Sequence, residues 1–98
     1  MKIDGNYAIT AKSPIGIQKG ILTLKTEGNQ LSGSLNNGSD HLTILNGKAN
    51  GNEYEFTVHI KGPIGMLKIV VKGRVDGDKI TGSSKIAFGN ITMEGVRQ

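Results

Sequence analysis

Apolar and polar residues alternate along this chain with a period of two, and no window holds the spacing of an amphipathic helix. The cleanest run covers residues 53–61. There Tyr54, Phe56, Val58 and Ile60 share one face, and Glu53, Glu55, Thr57, His59 and Lys61 share the other. Gly, Asn, Asp or Pro breaks the alternation at intervals of about eight to twelve residues, as expected for short strands joined by tight turns. The pattern predicts eight strands, at about 6–12, 17–26, 30–35, 41–49, 53–61, 66–75, 79–87 and 91–97. Ser13-Pro14-Ile15-Gly16 reads as a turn, with proline fixing φ and glycine taking the position that needs φ > 0. Gly28-Asn29, Asn50-Gly51-Asn52 and Asp76-Gly77-Asp78 read as hairpin turns.

Register follows from those turns. A two-residue loop at Gly77-Asp78 pairs Val75 with Ile80, Gly73 with Gly82 and Val71 with Ser84. The loop at Gly28-Asn29 pairs Thr26 with Leu31, Leu24 with Gly33 and Leu22 with Leu35. Cross-strand partners share a face, and the apolar faces coincide in both hairpins. The second hairpin, around Pro63-Ile64, places Glu55 opposite Lys72 and Glu53 opposite Arg74. Consecutive antiparallel strands close most simply by pairing the last with the first, which removes exposed edges. The expected fold is all-β: an eight-stranded antiparallel up-and-down β-barrel, ahead of an open sandwich.

The chain also repeats itself. A constant shift of 49 positions lays Pro14-Ile15-Gly16 on Pro63-Ile64-Gly65, Lys19 on Lys68, Gly28 on Gly77 and Gly33-Ser34 on Gly82-Ser83. Tyr7 falls on Phe56, Ile9 on Val58 and Leu42 on Ile91. Twice 49 is the full 98 residues, so the chain reads as a single domain, 1–98, made of halves 1–49 and 50–98.

Composition narrows the function classes. Ninety-eight residues support one core. With no cysteine there is no disulfide, no thiolate metal site and no cysteine nucleophile. The 15 glycines suit turns and strand bends. No apolar segment is long enough for a membrane span or a signal peptide, so the expectation is a soluble, cytoplasmic chain with no membrane among its partners. The net charge of +4 tolerates acidic partners without requiring them.

Several residues invite chemical readings. His41 and His59 fall on the outer face with no cluster of further ligands, so no metal or other cofactor is expected. Glu53 and Glu55 read as cross-strand partners of basic residues rather than as acid–base catalysts. There is no Gly-x-Ser-x-Gly elbow and no phosphate loop leading into a helix. The expectation is a protein that is not an enzyme. Lys61, Lys68, Lys72, Arg74 and His59 form a basic outer stripe without interleaved aromatic residues, which disfavours nucleic acid.

Gly5-Asn6-Tyr7, Ser-Pro-Ile-Gly, Leu22-Thr23-Leu24-Lys25, Gly33-Ser34, Phe88-Gly89 and Gly95-Val96-Arg97 together resemble a small bacterial β-barrel module grouped with lipocalin-like and avidin-like (streptavidin-like) barrels. The resemblance spans nearly the whole chain. It implies the fold and is silent on function. Gly5-Asn6-Tyr7 stands where lipocalins carry Gly-x-Trp, and Arg97 near where they place an arginine against that tryptophan. Tyrosine here weakens the lipocalin match. The lack of tryptophan argues against an avidin-type biotin site.

The remaining place for function is the barrel interior, which Tyr7, Leu24, Tyr54, Phe56, Leu67 and Ile69 are expected to line, with Arg97 near one end. Inward glycines (Gly33, Gly73, Gly82, Gly95) either leave room for a ligand or relieve curvature. Two functions follow. One is non-catalytic binding of a small ligand, largely apolar or a carboxylate anchored by Arg97. The alternative is a structural or interaction module, self-associating as a homo-oligomer or docking another protein through outward Ile21, Leu45, Val70 and Val96.

Overall fold

The computed structural model describes residues 3–14, 16–38, 41–62, 65–86 and 89–98, with backbone only for 61 and 62. Strands β1 (Gly5–Ser13), β2 (Gly16–Glu27), β3 (Gln30–Asn36), β4 (His41–Thr43), β5 (Leu45–Asn50), β6 (Glu53–Gly62), β7 (Gly65–Asp76), β8 (Lys79–Ile86) and β9 (Gly89–Arg97) form one antiparallel sheet. Its order is β2-β1-β9-β8-β7-β6-β5-β3-β4, and β2 also pairs with β3. That last pairing closes the sheet. β4 and β5 are two halves of one barrel strand, so the fold is a closed eight-stranded up-and-down barrel.

Alternation of side chains turns one face of every strand inward. Tyr7, Ile9, Leu22, Leu24, Leu31, Phe56, Val58, Ile69, Val75 and Ile80 form the buried core with Tyr54, Ala49 and Met93. Both short hairpins have the predicted register: Leu24 stands opposite Gly33, and Gly73 opposite Gly82. Glu55 faces Lys72 and Glu53 faces Arg74, also as predicted.

The two halves reproduce one another's pairing. Tyr7 opposes Leu22 as Phe56 opposes Val71, and Ser34 opposes Thr43 as Ser83 opposes Thr92. Every one of these partners is displaced by 49 positions. Large and small residues exchange strands between the halves: Gly5 faces Leu24 in the first, and Tyr54 faces Gly73 in the second.

The fourth predicted strand is not continuous. It breaks at Ile44, Asn46 takes a positive φ of 52°, and the register against β6 shifts between Leu45 and Lys48. Asparagine tolerates that left-handed conformation better than most residues. The break re-aims the strand so that Gly47 lies flat on β3. A Cβ added there would sit 2.0 Å from the Leu31 carbonyl oxygen.

The barrel is elongated, 37 × 23 × 23 Å, because two hairpins outrun their neighbours. β2 pairs with β3 only from Ile21 onward, and β7 with β8 only from Lys72 onward. Among the described residues, the stretches Gly16–Gly20 and Gly65–Val71 therefore pair on one side only, with β1 and β6. Strand directions put both arms at the same end of the barrel.

Candidate functional site

The two ends of the barrel differ in chemistry. At the end that carries the chain termini, Arg97 closes the interior. Its guanidinium lies over the Tyr7 ring, 5.2 Å from the centroid, and Nη2 donates to the Tyr7 hydroxyl at 2.7 Å. The Tyr7 hydroxyl in turn donates to the Ile3 carbonyl at 2.7 Å. Arg97 Nη1 reaches Asp78 at 3.4 Å, and the Arg97 backbone N–H donates to the Asp78 carbonyl at 2.7 Å. Gly5 makes room for this, since a Cβ there would lie 3.0 Å from Arg97 Nε. Asp4 ties the same end to β2, accepting bonds from the Thr26 N–H and hydroxyl. The Thr26 hydroxyl and N–H hold the Asp4 carboxyl below its ordinary value, against the opposing effect of burial.

Tyr54, at the start of β6, belongs to the same end. Its ring stacks on Phe56 at 5.7 Å, and its hydroxyl crosses β7 to donate to the Thr81 carbonyl at 2.9 Å. Burial, reinforced by Tyr7, pushes its phenol above the ordinary value. The inward glycines make this reach possible. Cβ atoms on Gly73 and Gly82 would lie 2.7 and 2.6 Å from the Tyr54 hydroxyl. At Gly33 and Gly95 an added Cβ would meet the Thr23 and Ala8 carbonyl oxygens at 1.8 and 2.5 Å. Of the two roles open to these glycines in the sequence, vacant space is the one corrected. Neighbouring backbone and the tyrosine fill the volume.

The hairpin end is different. Inward-facing Leu35, Leu42, Ile60, Leu67, Ile86 and Ile91 are only half-buried there, although they continue the rows that bury Tyr7, Phe56 and Ile69. An apolar rim results. Beside it the two arms part from their neighbours and leave open depressions. One lies between β7 and β8, lined by Val70, Lys72, Ser83, Ser84, Lys85 and Asn90. The other lies between β2 and β3, lined by Lys19, Gly20, Ile21, Asn36 and Asn37. Ser84 is buried, and its hydroxyl has no hydrogen-bond partner among the described residues. In the first half of the chain the equivalent residue is Leu35.

The seven residues expected inside thus separate into two layers. Tyr7, Leu24, Tyr54 and Arg97 belong to the closed floor, while Phe56, Ile69 and Leu67 lead up towards the rim. The guanidinium offered as a carboxylate anchor is engaged by Tyr7 and Asp78. Sequence reasoning missed the rim. Alternation gives a residue's face and not its depth, and the difference in exposure depends on where each strand ends.

Outside, the expected groups are mostly where parity puts them. Leu45, Val70 and Val96 are exposed, Ile21 is half-buried, and His41 and His59 are exposed. Lys72 pairs with Glu55 at 3.3 Å. Arg74 turns to Asp76 on its own strand, at 3.0 Å, because that shorter carboxylate sits beside it on the same face. A broad open depression of about 1090 Å³ is lined by Lys48, Glu53, Lys72 and Arg74 together with Gly73 and Gly82. Among the described residues no group of three or more His, Asp or Glu side chains could hold a metal ion, and no helix is long and apolar enough to cross a membrane. Pro63, Ile64 and Phe88 lie outside the described residues, as do the side chain of Lys61 and the end of the predicted seventh strand at Ala87.

No protein-family model matches the chain. No curated protein matches it either.

Proposed function

We propose that the protein is a non-catalytic binding module that takes small apolar ligands at the hairpin end of the barrel. The observation that carries this is the half-buried rim of Leu35, Leu42, Ile60, Leu67, Ile86 and Ile91, set opposite a floor sealed by Tyr7 and Arg97. Inward side chains that stay partly wet have apolar area still to bury, at roughly 25 cal/mol per Å². An apolar group entering there meets Leu67 and Ile69 first and Phe56 below them. Tyr7, Leu24 and Tyr54 act as the packed base, and Arg97 holds that base in place. Native mass spectrometry of the gently purified protein tests the reading, together with titration of an apolar fluorophore. The expected result is a bound mass or fluorophore signal that Leu67→Lys abolishes while Lys25→Ala leaves it intact. Fluorophore binding unchanged by Leu67→Lys, or none at all, would overturn it.

Self-association is the second reading, and a specific row of residues favours it. Leu45, Thr57 and Val70 are cross-strand neighbours on the outside, and Thr57 is buried between its two exposed apolar flanks. Sedimentation equilibrium of the native chain against Val70→Lys separates the two readings.

A further inference from the structure

The arms carry a second feature of the hairpin end. Ile17 and Met66 are 64% and 65% exposed, and they occupy equivalent positions in the two halves. Ile17 stands opposite Lys12 and Met66 opposite Lys61. Lys19 and Lys68 follow two residues further from each tip, opposite Thr10 and His59. Both arms have the same sequence plan: Lys-x-Pro-Ile-Gly, then Ile or Met, one further residue and Lys.

Charge is segregated in the same way. No carboxylate occurs between Asp4 and Glu27, or between Glu55 and Asp76, and each of these stretches contains one arm. Asp4, Glu27, Glu53, Asp76 and Asp78 gather at the far end, beside the tight turns and the chain termini. The arms themselves therefore carry lysine and no carboxylate, with Glu94 standing level with Lys19 on the far side of Thr10.

We propose that the hairpin end seats on an anionic lipid surface, with Ile17 and Met66 entering the interface and Lys12, Lys19 and Lys68 meeting headgroup phosphates. This deepens the reading that the hairpin end is the binding end, and it identifies what that end faces. At about 3.4 Å per strand residue, Lys19 and Lys68 stand roughly 7 Å behind Ile17 and Met66. That separation matches the depth of about 5–10 Å at which interfacial segments bury apolar side chains beneath charged ones. Lysine stems are long enough to span any mismatch. A second copy of the chain is a poor occupant, because tip-to-tip contact would press Lys12, Lys19 and Lys68 of each copy together. Exposed Ile17 and Met66 with lysines behind them fit a deformable apolar phase behind a negative layer. A bilayer with anionic headgroups provides both.

The test is co-sedimentation of the full chain with vesicles of phosphatidylcholine containing phosphatidylserine, and with phosphatidylcholine alone. Partitioning should favour the anionic vesicles by about tenfold or more and should weaken as salt rises. Ile17→Ser with Met66→Ser, and separately Lys19→Glu with Lys68→Glu, should each lower it by about tenfold. Their thermal melts should stay at the native value, since all four side chains are exposed. Lys25→Glu with Lys79→Glu makes the same charge change at the far end. If that variant loses as much binding as the arm variants, bulk charge explains the effect and the proposal fails. It also fails if the native chain ignores anionic vesicles at low salt, or if the arm substitutions abolish a dimer instead. Fluorophore titration in solution is independent of vesicles, so a chain that binds the fluorophore but not the vesicles refutes this inference alone.

Discussion

Arg97 donates from Nη2 to the Tyr7 hydroxyl at 2.7 Å while its guanidinium covers the Tyr7 ring, joining the last strand of the barrel to the first across its closed end. The same two residues are cross-strand partners in the β1–β9 ladder. The β1–β9 ladder and the sealed floor therefore share one residue pair.

Replacing Arg97 with lysine should cost about 1–2 kcal/mol in urea unfolding, from the lost charge-assisted bond and the lost stacking. Asp78→Asn should cost less than about 0.5 kcal/mol, because that carboxylate is mostly exposed and its ion pair is screened. Comparable losses from both variants would mean that the ion pair, rather than the ring contact, holds the floor.

Gly82 and Tyr54 should be energetically coupled. Gly82→Ala puts a methyl 2.6 Å from the Tyr54 hydroxyl and should destabilise by about 1–3 kcal/mol through overpacking. In a Tyr54→Phe background the same substitution should cost clearly less, since the obstructing oxygen is gone. Strictly additive unfolding free energies in the double-mutant cycle would show that the glycine serves the backbone alone.

Ser84 is the position where the native residue is a disadvantage. Its hydroxyl is buried without a partner among the described residues, and Ser84→Ala should raise stability by about 1 kcal/mol by removing an unsatisfied polar group. A thermal melt decides it. A drop in melting temperature would mean that the hydroxyl serves a purpose in the folded state.

Acid should loosen the terminal end through Asp4. Its folded carboxyl titrates below the ordinary value of 3.8, chiefly through the Thr26 hydroxyl. The associated stability is fully present above 3.8 and is lost as pH falls from there through the lowered folded value. The difference in stability between native and Asp4→Asn chains should therefore shrink across that acid window and stay constant above it. A constant difference down to the lowest pH would show that ionisation of Asp4 contributes nothing.

The barrel was legible because alternation and turn residues act locally. A period of two fixes which side chains share a face, and Gly28-Asn29 or Gly77-Asp78 fixes the register of the following hairpin. Leu24 opposite Gly33 and Gly73 opposite Gly82 follow from those local facts alone. The broken fourth strand did not, because Asn46 takes φ 52° only to let Gly47 lie against Leu31 of β3. Nothing adjacent in sequence states that contact.

The candidate site divides in the same manner. Sequence alone determined that Tyr7, Leu24, Tyr54, Phe56, Leu67 and Ile69 point inward, that two arms share one plan, and that carboxylates avoid both. Only the tertiary structure decided which inward residues are sealed and which stay half-wet, where the Tyr54 hydroxyl ends, and that Arg97 serves the floor. The reason is physical. Inward or outward is a property of backbone periodicity, carried by each residue and its neighbours. Depth and partner depend on how far unconnected strands extend past one another, and closing the sheet alone sets that.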